Sequence, residues 1–379
     1  MNDGTLTARQ LMILVIFFII GTTILVVPST LAAEAKQGAW LLQLGGTVAG
    51  TLVLWFYMLI FKRNTEQNLF EMNERLFGRL PGKAVSLLVA VLTIVFASQV
   101  LFYIGSFIRT QIMPDTPMEA IHVLFMFAVV AGVKFGLVTM ARTAEIYFPW
   151  VLLLFIFFLF FIIPDIRVNQ LMPLSEVEGM SFVRGTLAVV TYSYFPLFIT
   201  FAAMHRSIPW QKSMQRAYLI GGFVSGSMLV VLVLVSTMVL GPMNTAVQVY
   251  PTYVVARKIN VGDFLQRVEV IVAFLWFIVI YFKLTLYFHA IVTGVAQTFG
   301  IAKQAKSLGV PLGLLVFVLS LYIYPNYVYL KKWDTLTWTS ESLILGVVYP
   351  SVLLAATIVR AKWGKKSGGQ PIDSGEGAS

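Results

Sequence analysis

The sequence lacks cysteine and is poor in charge. Because none of its 379 residues is a cysteine, disulfide bonds, thiol catalysis and thiolate metal sites are excluded. Only 12% of the residues are charged, about half of the roughly 25% that is usual in soluble domains. Apolar residues are abundant instead, since 58% are hydrophobic and the mean hydropathy is +0.84. These proportions exclude a soluble globule and indicate a polytopic membrane protein.

The apolar residues form ten runs that are uncharged or nearly so, most of them close to the roughly 20 residues that a helix needs to cross a bilayer. Continuous apolar runs are typical of helices, whereas a membrane barrel requires alternation. We therefore predict an all-α membrane protein with ten transmembrane helices, over residues 10–33, 37–61, 84–108, 120–133, 146–164, 185–204, 217–240, 270–302, 307–330 and 342–359. Residues 1–363 form one integral domain, and the Gly- and Ser-rich residues 364–379 are predicted to be a disordered cytoplasmic tail.

Positive charge is concentrated on one side of the predicted helices. An even number of spans places both termini on one face, which holds 17 of the 27 lysines and arginines. The positive-inside rule assigns this face to the cytoplasm. The net charge of +10 therefore follows from membrane topology, and we predict no binding of nucleic acid.

Ten spans divide into two halves of five, and the odd number per half requires the second half to be inverted. Spans one and six correspond in such a repeat, and both carry small polar residues ahead of a proline, Pro28 and Pro196. We predict that these prolines break helices 1 and 6; the alternative is that they only kink them. Spans two and seven share a glycine spacing, which we interpret as close helix packing: Gly46 and Gly50 in one, Gly222 and Gly226 in the other.

Paired breaks in corresponding helices indicate a ligand site near the middle of the membrane, because broken backbone survives there only beside protein or a cavity. Half-helix N termini can hold a carboxylate, and freed carbonyls can hold a cation or an ammonium group. The predicted ligand-binding residues of the two breaks are Gly21, Thr22, Thr23, Tyr192, Ser193 and Tyr194.

Several of these features together resemble a known family. They are the residues 21–28, the ten spans, the stretch 141–145 at the start of span five, and residues 192–196. In combination they resemble the B subunit of spore nutrient germinant receptors, a family similar to the amino acid/polyamine/cation transporters of the five-plus-five inverted-repeat fold. The resemblance implies a protein of the spore inner membrane that binds a small nutrient, such as an amino acid. It also implies signalling to other germinant-receptor subunits, of the A and C type.

Further polar residues lie inside the spans. Ser98, Gln99 and Tyr103 of span three are predicted to line the ligand pocket, and the resembled fold adds Thr285 of span eight; the alternative for each is a hydrogen bond between helices. Lys283 is the one charge within span eight, where a lysine costs about 2.5–3.5 kcal/mol. In the resembled fold, span eight faces span one near a sodium site. Our hypothesis is that the ammonium of Lys283 replaces a bound cation, against the alternatives of snorkelling or a local carbonyl contact.

The sequence departs from many transporters of this fold because the break in span six has no glycine. Tyr194 and Phe195 are bulky there, which predicts a small or partly filled pocket. No metal-binding or catalytic motif occurs, so we predict neither an enzyme nor a cofactor. A proton-coupled or uncoupled amino-acid transporter is the alternative to the receptor, and an assembly factor without a ligand is a third interpretation.

Overall fold

The computed structural model describes residues 4–65, 67–173, 177–259 and 267–367, which form helices and connecting turns without any strand. The helices in chain order are α1 Ala8–Ala35, α2 Ala39–Phe61, α3 Leu69–Phe77, α4 Arg79–Gln111, α5 Met118–Phe135, α6 Leu137–Ile162, α7 Gly179–Ser193, α8 Leu197–Ala203, α9 Lys212–Leu240, α10 Pro242–Val247, α11 Pro251–Lys258, α12 Glu269–Thr298, α13 Gly309–Tyr322, α14 Tyr327–Trp333, α15 Thr339–Leu343 and α16 Tyr349–Ser367.

Nine stretches of the described residues are long and apolar enough to cross a membrane. The first of them, Ala8–Phe61, contains both α1 and α2. Lys36 between these helices has a positive φ of 49°, and both helices pack against α9, so the chain reverses there. Counted as two crossings, this stretch gives the ten predicted spans.

Contacts between helices have the symmetry expected of two related halves. The third spans of the halves, α4 and α12, contact each other, and each also contacts the fourth spans, α5 and α13. In the same way the second span, α2, contacts α7 of the sixth span, and the seventh span, α9, contacts the first span, α1. These matching contacts between the two halves agree with the predicted five-plus-five inverted repeat.

The first span differs from the prediction of a break. α1 is a continuous helix of 28 residues with Pro28 inside it. Proline has no N–H, so it cannot donate to the carbonyl four residues earlier, which belongs to Ile24. The hydroxyl of Thr252 in α11 donates to this carbonyl at 2.7 Å. Because an external donor replaces the missing N–H, the helix passes through Pro28 without opening.

The sixth span is interrupted as predicted. α7 and α8 are separated by residues 194–196, and the N–H groups of Tyr194 and Phe195 both reach back to the carbonyl of Val190, at 2.9 and 3.0 Å. Pro196 follows and cannot donate to the carbonyl of Tyr192. This carbonyl therefore receives no donor from Pro196, and Nζ of Lys283 lies 3.5 Å from it in the interior of the bundle.

Glycines make room for the bulky residue at this break. A Cβ on Gly50 of α2 would overlap the ring of Tyr194, and one on Gly226 of α9 would lie 2.5 Å from its hydroxyl oxygen. The hydroxyl donates to the carbonyl of Gly222 at 2.9 Å. The predicted glycine pairs thus serve close packing, with Tyr194 held between the two helices.

The last two spans have other bounds than predicted. α13 ends at Tyr322, and a new helical stretch begins at residue 327 rather than 342; it continues through α14, α15 and α16 with two π-helical segments, Asp334–Trp338 and Ile344–Val348. Pro325 precedes it, and the side chain of Asn326 accepts a hydrogen bond from the N–H of Tyr329 at 2.8 Å, which caps α14. The stretch runs to residue 367, past the predicted domain boundary at 363, and residues 368–379 of the predicted tail lie outside the described chain.

Candidate ligand-binding site

A small buried cavity lies where α1, α4, α7, α12 and the last helical stretch meet. Its volume is about 10 Å³, close to the minimum that one water requires. It is lined by Thr22, Gln99, Val100, Tyr103, Tyr192, Lys283, Tyr287 and Trp338. Five of the predicted site residues, from four helices, therefore border one space beside the break.

Lys283 ties α1 to the break. Its side chain is buried, and its Nζ donates to the hydroxyl of Thr22 at 2.9 Å and lies 3.5 Å from the carbonyl oxygen of Tyr192. This carbonyl is the one that Pro196 leaves without a helical donor. The ammonium also lies 5.1 Å from the ring centroid of Phe18, at cation–π distance. The charge is therefore held in the interior by polar and aromatic groups and does not reach an interface.

Gly21 creates the space for the lysine. A Cβ at this position would lie 2.5 Å from Cδ of Lys283, closer than real side chains approach. The carbonyl of Gly21 accepts a hydrogen bond from the indole of Trp276 at 2.8 Å. Gly21 thus acts through the packing of α1 against α12.

Asp334, which the sequence analysis missed, is bonded to residues that line the cavity. Its carboxylate is buried in the first π-helical segment and accepts hydrogen bonds from Nε2 of Gln99 at 2.6 Å and from the side chains of Tyr103 and Tyr192. The predicted spans 307–330 and 342–359 leave residue 334 in the loop between them. Recognising Asn326 as a helix cap would have placed this acid inside a membrane helix, where an ionisable residue indicates a functional site.

Two polar atoms of cavity-lining residues have no hydrogen-bond partner within the described part of the chain. They are Oε1 of Gln99 and Nε1 of Trp338. The amide nitrogen of Gln99 is bound to Asp334, so its oxygen remains as the unpaired acceptor. Buried polar groups usually have hydrogen-bond partners, so this donor and this acceptor are available to a further molecule in the cavity.

Thr23 and Ser193, both predicted to bind ligand, lie against each other. Their hydroxyl oxygens are 3.1 Å apart, and both side chains are buried. The pair links α1 directly to the last residue of α7. Neither residue lines the cavity, but their contact fixes the position of α1 relative to α7.

Three other predicted residues do not line the cavity. Two of them bond to backbone carbonyls, and the third packs against glycines. The hydroxyl of Ser98 lies 3.2 Å from the carbonyl of Val316 in α13. Thr285 donates to the carbonyl of Tyr281 in its own helix at 2.7 Å. Tyr194 is enclosed by the glycines of α2 and α9. Ser98 therefore makes the bond between helices that was its alternative interpretation, whereas the hydroxyl of Thr285 bonds within α12.

Larger cavities approach the central one from both ends of α1. A cavity of about 290 Å³, the Glu34 vestibule, is lined by Thr30, Glu34, Arg184, Gly185, Leu187, Ala188, Tyr192, Asp334 and Thr339. Tyr192 borders both this vestibule and the central cavity. Its ring stacks on Trp338 with centroids 5.7 Å apart, and this stacked pair stands between the vestibule and Lys283.

The second cavity, of about 340 Å³, is the Glu71 vestibule near the N-terminal end of α1. It is lined by Asn68, Glu71, Ala203, Met204, Arg206, Ser207, His289, Thr293, Ala296, Gln297, Ala302 and Ala305. A salt bridge of 2.9 Å joins Arg206 to Glu71. The rings of Phe18 and Tyr287, with centroids 5.1 Å apart, pack together next to the central cavity. The structure is therefore closed around the centre from both directions.

The chain is similar to germination proteins over nearly its whole length. Residues 5–328 match the protein family described as "Spore germination protein". Spore germination protein KB of Bacillus subtilis (strain 168) is 25% identical over 374 residues, which cover 98% of this chain and 99% of that protein.

Solved structures of transporters share the fold. The structure of Mhp1, a nucleobase-cation-symport-1 family transporter, in a closed conformation with bromovinylhydantoin bound, has a TM-score of 0.72 at 11% identity and covers 93% of this chain and 78% of Mhp1. MhsT in complex with L-phenylalanine has a TM-score of 0.60 at 15% identity and covers 96% of this chain and 91% of MhsT. At these identities the likeness shows a common fold.

Proposed function

Since the chain belongs to the spore germination protein family, we propose that it is the ligand-binding subunit of a spore nutrient germinant receptor. In this proposal it lies in the spore inner membrane with both termini on the cytoplasmic side, which is the spore core. It senses a small nutrient, such as an amino acid, at the central cavity and signals to partner subunits of the A and C type.

One observation carries this proposal: five polar residues from four helices border a single buried cavity next to a broken helix. Polar and ionisable groups within a membrane are costly, and they are retained where they serve a site. In the transporter fold, a break of this kind is a feature of midplane ligand sites. The concentration of these groups at the break supports a ligand there more strongly than a purely structural role.

Lys283 takes the place of a bound cation in this proposal. Its Nζ bridges Thr22 of α1 and the carbonyl of Tyr192 at the break. A fixed ammonium holds these groups together without an ion that would have to bind and leave. If a Lys283→Met variant folds and keeps its full nutrient response, this role is excluded.

Binding must enlarge the cavity, because about 10 Å³ is room for one water and not for a nutrient. Trp338, which stacks on Tyr192, belongs to the first π-helical segment. A ligand that separates this pair would displace the last helical stretch, and a partner subunit could read the displacement. The signal cannot exceed the difference in the ligand's affinity for the two arrangements.

The test is direct binding of a nutrient panel to the purified receptor complex, with germination of spores that lack this chain as the cellular measurement. We expect saturable binding of at least one nutrient, weakened by Gly21→Ala, and loss of the response to that nutrient in otherwise viable spores. Binding that is indifferent to Gly21→Ala would remove the central cavity from the proposal.

Transport is the second candidate, favoured by vestibules on two sides of the cavity. A transporter of this fold alternates access between two such openings. Uptake of labelled amino acids into proteoliposomes that contain the purified chain separates the two functions. Robust accumulation would assign transport to this chain, whereas binding without accumulation supports the receptor.

A further inference from the structure

The central cavity is associated with groups of opposite charge: Lys283 lines it, and its residue Gln99 binds Asp334, which lines the Glu34 vestibule. We propose that the central cavity binds an α-amino acid as a zwitterion, with the ammonium group at Asp334 and Oε1 of Gln99 and the carboxylate at Lys283 and the indole N–H of Trp338. This inference rests on the proposed function, in which the cavity is the nutrient site. It adds the class of ligand, its orientation, and two residues outside the predicted site, Asp334 and Trp338.

The acceptor end has capacity for an ammonium group. An ionised carboxylate offers about four positions for hydrogen bonds, and the carboxylate of Asp334 uses three, for Gln99, Tyr103 and Tyr192. The orphaned oxygen of Gln99 belongs to the same amide that binds this carboxylate. One bonding position of Asp334 and one amide oxygen therefore remain for a donor that carries positive charge.

The donor end has a matching capacity for a carboxylate. A lysine ammonium has three N–H donors, and Nζ of Lys283 has two acceptors, the hydroxyl of Thr22 and the more distant carbonyl of Tyr192. The indole N–H of Trp338 is unpaired. Among the ion pairs of the described chain, none includes Lys283, so its charge is solvated by neutral groups only.

Charge compensation selects the zwitterion over neutral nutrients. Separated charges of opposite sign are costly at membrane depth unless partners compensate them. A sugar or a nucleoside would leave both charges as they are, whereas an α-amino acid compensates both at once. A simple amine would compensate only Asp334 and a simple carboxylic acid only Lys283, so the other charge would stay uncompensated.

The Glu34 vestibule provides the route to this site. Its volume of about 290 Å³ falls near the lower limit of typical small-molecule pockets. Asp334 and Tyr192 line it, so an arriving ammonium group meets the carboxylate before the ligand passes Trp338. Separation of the stacked pair then opens the path to Lys283.

Binding to the purified full-length chain, measured by calorimetry, tests the orientation. The probes are the twenty proteinogenic L-amino acids, with glucose and inosine as neutral nutrients. For each amino acid that binds, the amide analogue lacks the carboxylate and the 2-hydroxy acid analogue lacks the ammonium group. We expect only amino acids to bind, and each analogue to bind at least about tenfold more weakly.

Charge-neutral variants assign the two ends. Asp334→Asn should weaken amino-acid binding at least about tenfold and leave the 2-hydroxy acid unchanged. Lys283→Met should weaken amino-acid binding similarly and leave the amide unchanged. Asp115→Asn and Lys303→Met, at exposed positions, are matched controls that should change neither. Trp338→Phe keeps an aromatic ring, although a smaller one, and removes the indole N–H, so it tests the carboxylate end even if a charge variant does not fold.

Three results overturn the inference, and they differ in which parts of the account they leave valid. If glucose or inosine binds, if Gly21→Ala weakens that binding, and if no amino acid binds, the cavity remains the nutrient site but the ligand is not a zwitterion. If none of the probes binds, the proposed function fails together with the inference. Equal binding of an amino acid and both its analogues also contradicts the proposed orientation.

Discussion

Pro28 and Pro196 each free a carbonyl oxygen, and the two carbonyls receive different partners. The carbonyl of Ile24 accepts the hydroxyl of Thr252, a neutral donor that completes the helix. The carbonyl of Tyr192 faces the ammonium of Lys283. A proline pattern in the sequence identifies both positions, but the donors come from distant segments, so the sequence could not tell which helix would open.

The partnership of Pro28 with Thr252 can be measured by a double-mutant cycle. Thr252→Val should lower the free energy of unfolding by about 1–2 kcal/mol, because the carbonyl of Ile24 loses its donor. In a Pro28→Ala background the same change should cost much less, since the alanine restores a main-chain N–H. Thermal denaturation in detergent gives the four stabilities. Equal costs of Thr252→Val in both backgrounds would contradict this account of α1.

Gly21→Ala tests the contact of α1 with Lys283. The added methyl would lie 2.5 Å from Cδ of the lysine, so either the lysine or the helix must move, at a cost of about 1–3 kcal/mol. We expect a lower melting temperature and weaker nutrient binding. Gly179→Ala is the matched control, because a Cβ at that position meets nothing within 4 Å; a comparable loss in both variants would exclude the contact as the cause.

His205 predicts a pH dependence of stability. Burial lowers its pKa from 6.5 to about 4, while Nε2 lies 2.8 Å from the carbonyl oxygen of Asn64 and Nδ1 accepts the indole N–H of Trp210. The unfolded chain binds the proton more readily, so the folded state should lose about 3 kcal/mol as the pH falls from 6.5 to 4.

Thermal denaturation across this pH range measures the effect of His205. A His205→Gln variant keeps an acceptor and a donor but cannot titrate, so its stability should fall less steeply below pH 6.5. Above pH 6.5 the stability of this variant should differ less from that of the unmodified chain than it does at pH 4. Parallel curves for the two proteins would show that another group carries the pH dependence.

At the level of elements, the broken sixth span and the last helical stretch are joined by one tyrosine. The hydroxyl of Tyr57 donates to the carbonyl of Gly346 at 2.7 Å and lies 3.5 Å from that of Phe195. Gly346 belongs to the second π-helical segment and Phe195 to the break. Both segments have irregular backbone, and such backbone is stable in a membrane only when other groups satisfy it.

Removing this hydroxyl should destabilise both segments. Tyr57→Phe keeps the buried ring but leaves the carbonyl of Gly346 without its donor, which should cost about 1–3 kcal/mol. Differential scanning calorimetry measures the loss. Tyr322→Phe is the control, because Tyr322 is 77% exposed and its hydroxyl should not contribute. An unchanged transition in Tyr57→Phe would show that the two irregular segments do not depend on this link.

The elements themselves were largely predictable from hydropathy. The strongly apolar spans needed only length and composition, and Pro196 marked the position of the break in the sixth span, although Pro28 marked the first span in the same way. The last span was misplaced because Lys331, Lys332 and Asp334 dilute its first turns, and hydropathy cannot detect π-helical segments. Asp334 was missed because the misplaced span left it in a loop. Its partners Gln99 and Tyr103 also lie more than 200 residues away in sequence, so only the fold brings them together.

At the scale of the whole molecule, one small cavity lies between two vestibules that aromatic residues close. Such a closed arrangement suits a receptor that responds when a ligand stabilises an opened state. The fold is shared with transporters. Transport would need the cavity to open alternately towards both vestibules, whereas sensing needs it to open towards only one.

The most direct test of the central claim is an experimental map of the proposed receptor complex with a nutrient bound. We expect ligand density in contact with Thr22, Gln99 and Lys283, with Trp338 moved away from Tyr192 to enlarge the cavity. Ligand density in another part of the complex, with the central cavity as small as it is here and the stacked pair intact, would contradict the account.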